Sequence, residues 1–224
     1  MKKIEPSIQF EIIQEIEKNF PDLYKSLTFF SICYHYLAGQ MLYDENDELL
    51  NGYGVYKMCF KFLIRGTEDL IRSKGIFLPP ALLLHTIDKK LQNNYSIGKD
   101  ALNEYNQSKF PNIIEILDAL EVSETNNLEL NKIKKSLGFL YYPLINISRC
   151  CFILLLQSTK VISDENKYFQ HIISIQILIS GINRLLKLIN YNESVYEFFN
   201  NFITKIGITF EIMHDIYNDT GNEF

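Results

Sequence analysis

The chain has 224 residues, of which 47% are apolar and 22% are charged, and its formal net charge is −5. This composition is typical of a globular domain and argues against long disordered stretches. The negative charge also argues against general nucleic-acid binding and against attachment to anionic membranes, because both need a basic surface.

The cysteines and the apolar runs bear on the cellular compartment. All four cysteines lie in apolar runs and none forms a Cys-x-x-Cys pair, which favours buried free thiols over disulfides or a metal site. The N-terminus lacks the apolar core of a signal peptide. No apolar run reaches the roughly 20 residues that cross a bilayer. We therefore expect a cytoplasmic protein without a membrane span.

The first part of the chain predicts four helices, because apolar residues recur with helical spacing and prolines separate the segments. Gly75 predicts the end of the third helix, and the glycines at 52 and 54 could interrupt that helix near its start. The predicted helices are Ser7–Phe20, Leu23–Tyr43, a third from Asn46 or Asp47 to about Lys74, and a short one from Pro79 or Pro80 to about Gln92.

The second part of the chain begins with a polar, asparagine-rich segment, 93–127, where we expect one or two short helices and any mobile region. A long helix is predicted from about Leu128 to Lys160, with an interruption at Pro143. Another follows at 164–189, capped by Ser163, and is apolar nearly all round, which is typical of a buried central helix. A final helix is predicted from Ser194 to Tyr217.

Strand signals are weak throughout, so the sequence predicts an all-α fold. We expect one domain, residues 1–224, built as a bundle of seven to nine helices around the helix at 164–189.

The densest ionic group lies on the third predicted helix and consists of Arg65, Glu68, Asp69 and Arg72. Arg65 with Asp69 and Glu68 with Arg72 have the i,i+4 spacing of intrahelical ion pairs. One interpretation is a solvated face held by such pairs. The other is a cleft in which the arginines bind an anionic ligand or a partner.

Two further arginines, Arg149 and Arg184, interrupt otherwise apolar helices. Each must reach solvent at the edge of its helix or find a carboxylate in the interior. If both point inward, they would line a pocket for an acidic ligand. All four arginines of the chain are therefore candidates for ligand binding.

A metal site has weaker support. Glu211 and His214 are three residues apart, so on a helix both side chains could reach one ion. His85 and Asp88 have the same spacing and could form a second pair. We predict no cofactor, and a divalent metal at these four residues stays an alternative.

Nucleophilic catalysis has no complete motif, since the chain has neither a Gly-x-Ser-x-Gly elbow nor a phosphate-binding glycine loop. In size and helix content the chain resembles the HEPN class of helical nucleases, found among toxins and antiviral-defence proteins. The signature of that class is an arginine, then four to six intervening residues, then a histidine, and none of the four arginines here has a histidine in that window. The resemblance implies, at most, a catalytically silent relative.

The sequence therefore favours a non-enzymatic helical protein that acts by binding a protein partner or itself, in a regulatory, adaptor or host–pathogen role. The abundant tyrosines and phenylalanines, 14 and 16, suit aromatic anchors at an interface as well as a core. The alternatives are an enzyme or ligand-binding protein with a metal or anionic ligand between helices, and the silent nuclease relative.

Overall fold

The computed structural model describes residues 6–44, 52–93, 127–160 and 163–191. These residues are almost entirely helical and contain no strand, which confirms the all-α prediction for the part of the chain described. In chain order the helices are α1 (Pro6–Asn19), α2 (Pro21–Asp44), α3 (Gly52–Arg72), α4 (Pro80–Asn93), α5 (Asn127–Leu137), a 3-10 turn (Gly138–Leu140), α6 (Tyr141–Lys160) and α7 (Glu165–Leu188). The predicted segment 93–127 and the predicted final helix lie almost wholly outside the described residues.

Helix boundaries in the first part follow the prolines and Gly75. Pro21 and Pro80 occupy the first positions of α2 and α4, where the missing N–H costs no hydrogen bond. Gly75 has a left-handed φ of 73° after the end of α3. The amide of Ile76 donates to the carbonyl of Ile71 at 3.0 Å, which closes the helix in the way typical of a C-terminal glycine.

Two boundaries in the last part differ from the sequence prediction. The helix break lies at Gly138, whose φ is 54°, and Pro143 instead sits in the first turn of α6, where a proline is tolerated. The cap of α7 is Asp164 rather than Ser163, because the Asp164 carboxylate accepts a hydrogen bond from the Lys167 amide at 3.1 Å.

Four helices enclose the core of the described structure. α2 packs on α3 and α7, and α6 packs on the same two helices, so that the four form a closed ring. α1 and α4 pack against α2 on the outside. Fully buried side chains from all four members meet inside the ring, among them Phe30, Leu63, Leu154 and Leu178. Burial of this apolar surface is the main stabilising term.

Glycine allows two pairs of helices in the ring to approach closely. A Cβ added to Gly181 of α7 would lie 2.4 Å from the Phe30 ring of α2. A Cβ added to Gly66 of α3 would lie 2.8 Å from Ile147 of α6 and 3.0 Å from the Pro143 carbonyl oxygen. A larger residue at either glycine would therefore require the neighbouring helix to shift.

All four cysteines are buried free thiols, as the sequence predicts. Cys33 of α2 and Cys150 of α6 are hydrogen-bonded to each other, and the Cys59 thiol lies 3.9 Å from the Cys150 carbonyl oxygen. The contact with Cys150 and burial raise the pKa of Cys33, and burial raises the pKa of Cys150 and Cys151. The thiols of Cys33, Cys150 and Cys151 therefore stay protonated in the folded protein, and burial shields them from reagents.

One buried polar pair crosses the ring between α3 and α7. The Nδ1 of His171 lies 2.6 Å from the Lys167 carbonyl oxygen, which can only accept, so Nδ1 carries a proton. In a neutral ring Nε2 then accepts a hydrogen bond from the Tyr56 hydroxyl, 3.1 Å away. The pair fixes how α7 is rotated against α3.

Two described stretches have the length and hydropathy of a membrane span, Asn131–Leu155 and Glu165–Leu188. In the fold, 67% and 56% of their apolar windows are buried, as in core helices of a soluble protein, which meet the same criteria. Length and composition alone do not separate the two cases, and the absence of a membrane span stays a prediction.

Candidate anion-binding groove

An open groove of about 520 Å³ lies along the line where α3 meets α6 and the 3-10 turn. Three of the chain's four arginines line it, together with one carboxylate and two aromatic rings. We call it the arginine groove and define it by Arg65, Asp69, Arg72, Phe139, Tyr142 and Arg149. Its volume lies within the range of about 300–1,000 Å³ usual for small-molecule sites.

The groove lies beside a close approach of the two helices at Gly66. Gly66 immediately follows Arg65 on α3, and the α6 residues nearest to it include Pro143 and Ile147. Because the backbones are so close at this point, side chains one turn away on α3 reach those of α6 across a narrow gap.

The α3 wall of the groove carries two arginines seven residues apart, which places them on one face about 10 Å apart along the axis. The Glu68–Arg72 ion pair predicted by the spacing is present, with 2.6 Å between Oε1 and Nη2. The predicted Arg65–Asp69 pair is not among the ion pairs of the described residues. Asp69 instead accepts a hydrogen bond from the Asn146 side-chain amide of α6 at 3.1 Å.

Arg149 enters the groove from α6. Its guanidinium stacks over the Phe62 ring, with 5.5 Å from Cζ to the ring centroid, and its side chain is half-buried. Cation–π contact of this kind helps to hold a guanidinium in place. The structure therefore brings Arg149 to the same groove as Arg65 and Arg72, which lie about 80 residues earlier.

The remaining predicted arginine does not line the groove. Arg184 is half-buried on α7, a helix that packs against α2 and α6. Arg184 is not among the described residues that line the arginine groove, and a pocket shared by Arg149 and Arg184 stays a prediction.

Two aromatic rings at the rim are features that the sequence analysis did not single out. Phe139 is 43% exposed and Tyr142 is 57% exposed. Lys74 lies over the Phe139 ring at 4.2 Å from its centroid. Lys134 donates a hydrogen bond to the Tyr142 hydroxyl at 3.1 Å, and this bond raises the pKa of Lys134. Two lysines therefore add positive charge around the groove.

The residues considered for a metal are spread over the chain. Glu211 and His214 lie outside the described residues. On α4, His85 is exposed, whereas Asp88 is buried and faces α2, where its carboxylate lies 3.0 Å from Nδ1 of His35. Gln92 donates to the same Asp88 oxygen at 2.9 Å. Within the described ranges, no three His, Cys, Asp or Glu side chains are grouped so as to hold a metal ion.

The His35–Asp88 contact is a second feature missed in the sequence. The two residues are 53 positions apart, and only the packing of α4 on α2 brings them together. Histidine at 35 has an exposed ring, so the contact orients it at the surface. Its place on α2, two residues after Cys33, gave no signal of a partner on α4.

Comparisons of this chain with models of known protein families, with curated protein sequences and with solved structures found no match. The function of the protein is therefore inferred from the chemistry of the arginine groove.

Proposed function

We propose that this protein is a non-enzymatic binding protein that holds the anionic group of its ligand in the arginine groove. One observation supports the proposal above all others: three of the chain's four arginines, from two helices, line a single groove in which Asp69 is the one carboxylate among the described lining residues. Guanidinium groups bind phosphate and carboxylate oxygens with paired hydrogen bonds, which makes arginine the usual residue for such sites.

The charge distribution supports the same proposal. The whole chain has a net charge of −5, so an evenly mixed surface would be acidic. The described charged residues that line the groove are three arginines and Asp69, of which Arg72 is paired with Glu68, and Lys74 and Lys134 lie against its aromatic rings. A concave site of one sign concentrates the field, which raises the local concentration of an oppositely charged ligand.

A direct test is calorimetric titration of the purified protein with inorganic pyrophosphate at low ionic strength. We expect saturable binding that weakens with added salt, because the site is open to solvent. The Arg65→Gln variant should lose at least about tenfold in affinity, the equivalent of one charge-assisted hydrogen bond. Arg65 is exposed and makes no ion pair among the described residues, so its replacement should leave the fold intact.

The matched control is Lys61→Gln, an exposed residue one turn before Arg65 on α3 that does not line the groove. It removes the same charge from the same helix. If Lys61→Gln weakens binding as much as Arg65→Gln does, the anion is attracted by overall charge and the groove is not the site.

The enzyme alternative would use the same groove for an anionic substrate. It is supported by the same arginines, and it differs in predicting turnover of the bound molecule. The metal alternative and the silent relative of helical nucleases stay predictions.

A protein partner or a second copy of the chain is the second candidate, and an exposed ring supports it. Phe77 is 86% exposed and lines a groove of about 320 Å³ that α1 forms with the loop after α3. Exposed aromatic side chains of this kind anchor interfaces. Sedimentation of the protein with Phe77→Ser as the variant tests self-association: a dimer that this change dissociates supports it, and a monomer at all concentrations excludes it.

For the architecture we propose a single domain of seven to nine helices in which α7 is the central helix. Buried residues from Ser174 to Leu186 and the contacts of α7 with α2 and α6 support this arrangement. The four buried free thiols support a reducing compartment such as the cytoplasm.

A further inference from the structure

We infer that the surface beside the arginine groove, where lysines lie over exposed aromatic rings, is a docking surface for an acidic segment of a partner protein. This inference rests on the proposed anion-binding function and names the source of the anionic groups, which are aspartate and glutamate carboxylates of another chain. We call this region the lysine surface and define it by Lys74, Lys134, Phe139 and Tyr142.

The four residues of the lysine surface are linked by direct contacts. The Lys74 amine lies 4.2 Å from the centroid of the Phe139 ring. The Lys134 amine lies 5.2 Å from the centroid of the Tyr142 ring and donates a hydrogen bond to its hydroxyl at 3.1 Å. Phe139 and Tyr142 both line the arginine groove. The residues after α3 and helix α5 therefore each bring one lysine to a ring of the same groove.

Helix α5 exposes its lysines because its apolar side chains are used for packing. Leu137 is fully buried, and Ile133 packs against the core. Three lysines are exposed, Lys132, Lys134 and Lys135. Their backbone positions span about 4.5 Å along the helix axis, less than one turn. Like charges this close repel one another, so a partner that brings negative charge to α5 relieves the repulsion.

Basic residues outnumber acidic ones in both stretches that supply the lysines. From Arg65 to Lys74 the chain has three basic and two acidic residues, a formal surplus of one positive charge. Helix α5 has three lysines and one acid, Glu129, a formal surplus of two. Arg149, which stacks on the Phe62 ring, is not needed for this surplus.

The charge of the lysine surface is therefore opposite to that of the whole chain, which is −5. No ion pair within the described ranges includes Lys74 or Lys134. A lysine ammonium is a compact charge on a flexible stem, so it pairs with a carboxylate without the fixed geometry that a guanidinium requires. These features suit a segment that carries several acidic side chains.

The ring contacts favour an acidic protein segment over a nucleic-acid strand. Single strands bind by stacking their bases on aromatic side chains. Here a lysine already lies over one face of the Phe139 ring and another over one face of the Tyr142 ring. A strand would also need a basic track along the surface, which a chain with a net charge of −5 does not favour.

The test is fluorescence anisotropy of a labelled decaglutamate peptide titrated with the full chain at low ionic strength. We expect saturable binding that weakens with added salt. The double variant Lys74→Gln/Lys134→Gln should weaken binding about tenfold, from about threefold for each exposed ion pair. The matched control Lys89→Gln/Lys187→Gln removes two charges from exposed positions on α4 and α7. It should change the affinity by less than about twofold, because salt screens distant charges.

Two results would overturn the inference. One is equal weakening by the two double variants, which would mean that the peptide responds to overall charge. The other is tighter binding of a decauridylate strand or of phosphatidylserine vesicles than of the peptide, lost in Lys74→Gln/Lys134→Gln, which would assign the lysine surface to nucleic acid or to a membrane.

Pyrophosphate separates this inference from the proposed function. If pyrophosphate binds and Arg65→Gln weakens it, whereas the peptide does not bind, the groove is an anion site and only the docking inference is wrong. If neither pyrophosphate nor the peptide binds, both proposals are wrong. Near-identical circular dichroism spectra of all variants establish that each result concerns binding and not folding.

Discussion

Two helix interfaces of this protein use a glycine for close packing and yet differ in what surrounds it. At the α2–α7 interface, Gly181 faces the fully buried ring of Phe30, and α7 also carries His171, whose polar pair with Tyr56 of α3 is closed off from solvent. At the α3–α6 interface, Gly66 lies beside Arg65 and the open groove. The close approach at Gly181 thus packs the core, whereas the close approach at Gly66 lies beside a polar surface site.

A glycine that allows close helix packing can therefore have two different consequences. In a closed interface every polar group must find a partner within the protein, because an unpaired buried group costs free energy. At an open edge, water and ligands can complete the hydrogen bonds, so charged side chains such as Arg65 are tolerated without a protein partner. The following changes test that distinction, beginning with the largest expected effect.

The largest effect concerns pH and the core thiols. In the unfolded chain a thiol ionises near pH 8.5, whereas burial raises the pKa of Cys150 and Cys151 in the fold, as it does for Cys33 together with its contact to Cys150. Their contribution to stability is therefore full below about pH 8.5 and is lost as the pH rises above it. At pH 9.5 we expect the three thiols to lower the free energy of unfolding by on the order of 4 kcal/mol.

Urea unfolding between pH 7.5 and 9.5 measures this loss. Cys151→Ala should flatten the decline by about a third, since it removes one of three titrating thiols. A free energy of unfolding that stays constant across this range would contradict the burial of the thiols in the α2–α3–α6 core.

The next effect concerns the closed interface. Gly181→Ala should lower the free energy of unfolding by about 1–3 kcal/mol, because the added methyl group overlaps the fully buried Phe30 ring. Gly39→Ala on α2 is the matched control: nothing lies within 4 Å of its added Cβ, so it should stabilise the helix by up to about 1 kcal/mol. Chemical denaturation of both variants compares them, and equal effects would mean that the close approach is absent.

A smaller effect is expected at the buried polar pair. Tyr56→Phe removes the hydroxyl that donates to Nε2 of His171 and should cost about 1–2 kcal/mol, since the ring nitrogen stays buried. Tyr168→Phe removes a hydroxyl from a half-buried position on α7 that makes no hydrogen bond among the described residues, and should change stability by less than about 0.5 kcal/mol. Thermal unfolding of the two variants measures the difference, and equal stability would contradict the hydrogen bond between Tyr56 and His171.

The smallest effect on stability belongs to the groove. Glu68→Gln removes an ion pair with Arg72, whose side chain is 64% exposed, and should change the free energy of unfolding by less than about 0.5 kcal/mol. It should nevertheless strengthen pyrophosphate binding about twofold to threefold, because Arg72 is freed for the ligand and one negative charge is lost. Weaker binding in calorimetry would indicate that Glu68 positions Arg72 instead of competing for it.

Much of the local structure could be predicted from the sequence. Prolines and Gly75 gave the ends of α1, α2, α3 and α4 to within about two residues, apart from the start of α3, because these residues act on their own backbone. The break before α6 was misplaced at Pro143, since a proline allows a helix to begin as readily as it ends one. Nothing in the local pattern at Gly138 distinguished it from a glycine within a helix.

The candidate site could be predicted only in part. The spacing of Glu68 and Arg72 predicted their ion pair correctly, because both residues lie on one helix. The partner of Asp69 was missed, since Asn146 lies 77 positions away. The exposed rings at 139 and 142 were missed for a similar reason: burial depends on which helices cover a residue, and periodicity does not supply that information.

The sequence by itself determined that this protein is helical and where most of its described helices end, because backbone dihedral angles, missing amide protons and apolar spacing act over a few residues. Only the tertiary structure decided that Arg149 joins Arg65 and Arg72, that Asp88 meets His35, and that Cys33 meets Cys150. Those contacts depend on which helices pack together and at what rotation, and that choice is made by the whole core at once.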